Sequence, residues 1–204
     1  MADTNTGRRL PDAPPDRLRE AVRAVLGRQA ADMPAETVDA RALIGRLPST
    51  LKLKSDAEHA IAASTADADA AERFRSLLEL GYLVASADGL AEQEREALAL
   101  LVEHATDSVV DRATLQLHFS DLDATCEALG RRERLQWAAA TFDSAATQQE
   151  ALSFAALVAI ADGTLDQAEL AVLVELGAHY DLSEEHVGSV VDRVVADLTK
   201  QLEG

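Results

Sequence analysis

Apolar residues recur at helical spacing along most of the chain. Behind Asp16, the residues Leu18, Val22, Val25 and Leu26 follow i, i+4, i+7, i+8 and predict a first helix through about Ala31. Arg17, Arg19, Arg23 and Arg28 lie mostly around its other sides. A second helix is predicted from Glu36 to Leu47, where Pro48 stops it. Residues 55–66 are Ala-rich and weakly patterned, and fit either a helix or a linker. A long helix then starts near Asp67 or Asp69 and runs to Ala87, and another covers Glu92 to Ala105. Shorter helices are predicted at 108–118 and 121–129. Beyond Gly130 comes a helix at 131–144 carrying Leu135, Trp137 and Phe142, with Trp137 and Phe142 read as core. Three more follow: to Ala161, to about Tyr180, and onward from Ser183, which has Glu184 and Glu185 in the first turn. No stretch shows the β-branched alternation of strands.

Local chemistry marks several of these starts. Asp69-Ala-Ala-Glu72, Thr147-Gln-Gln-Glu150 and Asp166-Gln-Ala-Glu169 each have the form of a capping box. The predicted fold class is all-α: a compact multi-helix bundle of two pseudo-repeated helix–turn–helix units, with an N-terminal helical extension. The expected division is a disordered, proline-ended tail over 1–15, the extension over 16–66 and the helical domain over 67–204.

The pseudo-repeat is explicit in the residues. Leu77–Val102 and Ala151–Leu176 align 74 residues apart, with nine of 26 positions identical. Each runs from an apolar helix through Ala-Asp-Gly into an acidic helix start: Ala87-Asp88-Gly89 and Ala161-Asp162-Gly163. Glycine suits the backbone that ends a helix. An Asp at that negative end is unfavourable unless its carboxylate turns to accept N–H bonds from the next helix start.

Composition narrows the function classes. Apolar residues make up 48% of the chain and aromatics only 3%, so the core is built from Ala, Leu and Val. The net charge is −17 and unevenly spread. Residues 1–54 carry ten Lys/Arg against seven Asp/Glu, whereas 55–204 carry nine against 29. An acidic body repels phosphate backbones, which argues against nucleic-acid partners. It suits a cation or a basic protein partner. The basic first helix fits either a membrane-surface or partner-docking element, or a helix folded back onto the acidic body. The longest apolar runs, Leu77–Ala87 and Ala151–Ala161, are about half the length a transmembrane helix needs. The start has no apolar stretch of a signal peptide, and Cys126 is the only cysteine. A reducing, cytoplasmic setting is the simplest expectation.

Chemistry-bearing motifs are few. His59, His104, His118, His179 and His186 form no HExxH pattern, and neither a phosphate-binding glycine loop nor a G-x-S-x-G elbow occurs. Cys126 reads as core rather than nucleophile. The second turn resembles half of a calcium loop. With Gly163 at loop position 6, Asp162, Asp166 and Glu169 fall at ligand positions, but Val158 and Ile160 stand where the first two oxygen ligands belong. The first turn has Val84 at position 1 and Arg95 at position 12, so an EF-hand is rejected. A shared acidic site remains as an expectation, formed if Asp88, Glu92, Asp162 and Asp166 converge from the two turns.

These doubled turns, with the closing segment Leu176-Gly177-Ala178-His179-Tyr180-Asp181-Leu182-Ser183-Glu184-Glu185, resemble the TerB family of tellurite-resistance domains and the similar N-terminal domain of DjlA-type co-chaperones. The resemblance covers roughly residues 67–200. It implies a bundle of seven or more helices and a non-enzymatic, acidic interaction module in a stress-response system, working near membrane partners. It also implies divalent-cation ligands (Ca, Mg, Mn or Zn) at Asp88, Glu92, Asp162, Asp166 and Glu169. Ala91 and Arg95 depart from the pattern in the first unit. Two alternatives stand beside this reading: a divalent-cation sensor using the Asp-Gly turns, and an assembly protein docked through its basic N-terminal arm. Homo-oligomerisation is compatible with all three.

Overall fold

The computed structural model describes residues 8–29, 65–89 and 112–203, together with Arg95, Leu98, Ala99, Val102 and Glu103. Seven helices have defined bounds among these residues. They are α1 (Pro15–Gln29), α2 (Thr65–Ala85), α3 (Arg112–Leu129), α4 (Arg131–Ala139), α5 (Ala145–Ala159), α6 (Gln167–His179) and α7 (Glu184–Glu203). The five residues between 89 and 112 are helical as well. The result is an all-α bundle. The predicted helix at 36–47, most of those at 92–105 and the start of 108–118 lie outside the described residues, as does Glu92.

Helices α2 and α5 form the centre and pack against each other more extensively than any other pair described. Their C-terminal halves, residues 77–85 and 151–159, are apolar on most sides, as expected for central helices. Leu80, Leu83 and Val84 of α2, and Leu152 and Ala155 of α5, have no exposed surface. A glycine brings the two axes together: a Cβ on Gly81 would stand 3.0 Å from Val158 Cγ2 and 3.1 Å from the Phe154 ring. The other helices surround this pair, and Phe74, Tyr82, Phe119, Phe142 and Tyr180 are buried in a core otherwise dominated by Ala, Leu and Val.

Several boundaries differ from the sequence reading. Helix α3 is continuous where two helices were expected. Ser120 and Thr125 donate back to the carbonyls of Gln116 and Asp121 (2.9 and 2.7 Å), so residues that favour caps are absorbed inside a helix. The helix expected to begin at Thr147 begins at Ala145. Ser144 is its N-cap, and Thr147 is the third helical residue of a Ser144/Thr147 capping box. The same cap explains why α4 ends at Ala139 rather than at 144. Asp69 lies inside α2, which is already under way at Thr65. Asp166 and Glu169 form the predicted box: Asp166 Oδ1 accepts from Glu169 N at 2.7 Å, and Glu169 Oε2 accepts from Asp166 N at 2.9 Å. Phe142 is buried as expected, but Trp137 is 50% exposed, with the Arg134 guanidinium 5.4 Å from its ring centre.

The N-terminal region departs most from expectation. Residues 1–15 were read as disordered, yet Arg8–Arg9 form a strand, β1. It pairs antiparallel with β2 (Thr164–Leu165), matching Arg8 to Leu165 and Arg9 to Thr164. Leu10 follows, 4% exposed, and donates its N–H to Gly163 O at 2.8 Å. The pairing was invisible in the sequence because two residues carry no alternation to read. Helix α1 folds back onto the body, packing mainly on α7 with Val22 and Val25 buried. Its apolar stripe therefore serves the core.

Helix α6 ends in a Schellman motif. Leu182 N–H donates to Gly177 O (2.9 Å) and Asp181 N–H to Ala178 O (3.2 Å), with Asp181 at φ 56°. Ser183 then caps α7, its hydroxyl accepting from His186 N at 3.2 Å.

Candidate functional site

The two Ala-Asp-Gly turns share one backbone design. In the first, Ala87 N–H donates to Val84 O and Gly89 N–H to Ser86 O; in the second, Ala161 N–H donates to Val158 O and Gly163 N–H to Ile160 O. Every donor and acceptor is offset by 74 residues. Gly89 and Gly163 have φ values of 103° and 102°, a region that only glycine enters cheaply. The turn geometry is thus written twice, and the second half of the first unit falls largely outside the described residues.

The turns differ in what holds them. Arg131, the first residue of α4, donates from Nη1 to Ala87 O at 2.5 Å and from Nη2 to Ser86 O. A guanidinium thus neutralises the negative end of α2. The second turn is held by the N-terminal arm, through Leu10 on Gly163 O and β1 on β2. Within it, Asp162 Oδ1 accepts from Thr164 N at 2.8 Å and from Thr164 Oγ1 at 3.2 Å. Asp162 therefore bonds within the turn, and Asp166 serves the next helix start.

Asp88, Asp162 and Asp166 are exposed and Glu169 is half-buried. Asp88 from the first turn and Asp162 and Asp166 from the second lie near enough to Glu169 for their charges to act on its carboxyl. Burial pushes the Glu169 carboxyl up to about 8. Its hydrogen bond from the Asp166 backbone acts in the opposite sense, and the negative charges of Asp166, Asp162 and Asp88 raise it further. Among the described residues, no three His, Cys, Asp or Glu side chains are grouped closely enough to hold a metal ion. Glu92 is outside the described residues.

A pH dependence follows. A carboxyl raised in the folded state binds its proton more tightly there than in the unfolded chain. Its stabilising contribution is complete below the ordinary glutamate range and is lost as pH rises through about 8. Glu150, raised by burial to about 7 with Arg73 opposing, acts in the same direction. Glu169→Gln keeps a side chain that can complete the capping box. It is therefore expected to flatten the fall in melting temperature between pH 6 and 9. A variant curve parallel to wild type would exclude Glu169 as its source.

Arg95, which departs from the acidic pattern, is directed elsewhere. It pairs with Asp123 of α3 and lies 5.7 Å from the Tyr82 ring centre. Tyr82 donates its hydroxyl to Asp123 at 2.5 Å and stacks on Phe119 with ring centres 4.6 Å apart. The first unit uses this position to join α2 to α3, whereas the equivalent Glu169 caps a helix. The α4 arginines also went unassigned in the sequence. A signal was present: Arg131 and Arg132 open a helix whose N-terminus disfavours cations. Their charges are used on other elements, Arg131 on the α2 turn and Arg132 against Glu175 of α6 at 2.9 Å.

The other candidates take quieter places. Burial pushes the half-buried Cys126 thiol up, away from a reactive thiolate. His179 stands in the last turn of α6. No helix among the described residues is long and apolar enough to cross a membrane. Compared with known proteins, the chain matches no family model, no curated protein and no solved structure.

Proposed function

We propose that this chain is a non-enzymatic, acidic interaction module of TerB type, built from two related helix–turn–helix units and serving a cytoplasmic stress response. Its docking face is the side that carries the two Ala-Asp-Gly turns. The observation supporting this is that charges from both turns, Asp88 on one side and Asp162 and Asp166 on the other, add to the effect of burial on the half-buried Glu169. Holding like charges near a half-buried carboxylate costs stability, and a basic partner or a cation would offset that cost. Each turn also has partners outside its own unit, Arg131 on the first and the N-terminal arm on the second, so both are positioned within the bundle.

The test is partner capture by the wild-type chain and by Asp88→Asn/Asp162→Asn. Both changes remove charge, and an asparagine oxygen at 162 can keep the turn bonds to Thr164. Loss of the captured protein from the variant is expected. The same captured set from a folded variant would sink the reading.

The same charge cluster favours a second reading, a divalent-cation sensor with ligands among Asp88, Glu92, Asp162, Asp166 and Glu169. A cation that binds only the native state adds about 2.7 kcal/mol at a hundred times its dissociation constant. Thermal melting in millimolar calcium, magnesium, manganese and zinc decides this. An upward shift in wild type that disappears in Asp162→Asn supports the sensor; no shift with any of the four excludes it.

A further inference from the structure

The groove that receives the N-terminal arm has its own recognition chemistry. Side chains of an extended segment alternate between its two sides. Arg8 and Leu10 face the body, while Arg9 is exposed. Arg8 Nε donates to Asp192 of α7 at 2.6 Å. Its guanidinium lies over Gly188, where a Cβ would stand 3.5 Å from Nη2, an ordinary van der Waals contact. Leu10 enters the core, and the exposed backbone edge of Thr164–Leu165 supplies the strand pairing. The groove thus reads three features: an extended backbone, a cation at one position and a branched apolar residue two positions later.

The arm's hold is modest in kind. The ladder is two residues long, and its ion pair is partly open to solvent, at 30% exposure for Arg8 and 65% for Asp192. Exposed pairs of this sort contribute little. Adding a strand to a sheet edge is also a common way to capture a peptide. We propose that the groove between β2 and α7 is a docking site for an extended Arg-x-Leu segment of a partner protein, and that residues 8–10 fill it in cis as a built-in competitor. The proposal rests on the interaction-module reading and specifies the kind of partner segment it takes. It places the arm over the second Ala-Asp-Gly turn as a latch that a partner displaces. Charge complementarity favours such a partner, since the strongly acidic body attracts basic segments.

The probe is a fluorescein-labelled peptide with the sequence of residues 5–13, titrated by fluorescence anisotropy into the full-length chain. In wild type, the tethered arm competes at a millimolar-scale effective concentration. The full-length variant Arg8→Glu/Leu10→Ala removes that competition and is expected to bind the peptide at least about tenfold more tightly than wild type. A peptide carrying Arg9→Ala binds the variant as well as the parent peptide does, and one carrying Arg8→Glu does not bind it. A second variant guards against a folding failure in the first. Asp192→Lys alters an exposed residue, and is expected to prefer the Arg8→Glu peptide over the parent. Equal peptide binding by wild type and the arm variant, no binding by a variant of native helicity, or no preference reversal in Asp192→Lys overturns the proposal. Partner capture that depends on Asp88 and Asp162 can survive each of those failures, so the two readings fail separately.

Discussion

Arg134→Ala is expected to destabilise the protein by about 3–5 kcal/mol, the cost typical of removing one partner from a buried ion pair. Glu79 sits on the central helix α2 with its side chain 7% exposed, and Arg134 of α4 holds it with Nε at 2.7 Å and Nη2 at 2.5 Å from Oε1. Burial raises the Glu79 carboxyl above its ordinary range even with Arg134 present, and the Arg134 hydrogen bond and charge oppose that rise. Without the guanidinium, the carboxylate is buried with its main compensation gone. The sign with pH is defined. A carboxyl raised further in the folded state stabilises while protonated and loses that contribution as pH rises. The Arg134→Ala penalty is therefore larger at pH 8 than at pH 5. Urea unfolding at both values checks this. The companion Glu79→Leu/Arg134→Leu is expected to recover most of the loss, because an apolar pair leaves no orphaned charge. An equal penalty at the two pH values would show that lost packing by Arg134, rather than the charge on Glu79, sets the cost.

Leu157→Ala and Leu83→Ala are each expected to cost about 2–5 kcal/mol, the range for leucines truncated in a close-packed core. The two residues occupy equivalent places in the repeat, 74 positions apart, and are 1% and 0% exposed. Both lie on the central α2–α5 pair. Stiff branched neighbours such as Val84 and Val158 limit how far the cavity can collapse. If the repeat is one of packing as well as of sequence, the two losses agree within about 1 kcal/mol. Thermal or urea unfolding of the two variants measures this. A loss confined to one leucine would mean that the halves pack differently around their matching turns.

The helical reading succeeded where period and punctuation agreed. Gly89 and Gly163 ended their helices as expected, and Asp166 with Glu169 formed the predicted box. It failed where a local preference competed with a larger context. Ser120 and Asp121 resemble a helix start, but α3 runs through them because nothing there breaks the helix. Thr147 resembles a cap, yet Ser144 stands three residues earlier and takes the role. At the candidate site, the sequence puts Asp88 and Asp162 in the two turns and Asp166 at the start of the next helix, and the structure has these three there. The sequence could not show that the charge of Asp88 reaches Glu169, because that depends on how the turn after α2 sits against α6. Nor could it show Arg131 on the first turn, 44 residues from the carbonyl of Ala87. Side-chain reach across the bundle has no periodic signature.

The contact between Arg8 and Asp192 joins residues 184 positions apart. The arm leaves the ribosome well before β2 and α7, which receive it and lie far downstream in the chain. At about 5–20 residues per second, the arm goes on the order of ten seconds or more without its native seat. Loop-closure entropy also delays so distant a pairing until the bundle has brought its ends together. The arm is therefore expected to dock last during biosynthesis. For that interval every newly made chain carries an undocked arm, and the arm gains no head start on its seat from being made first.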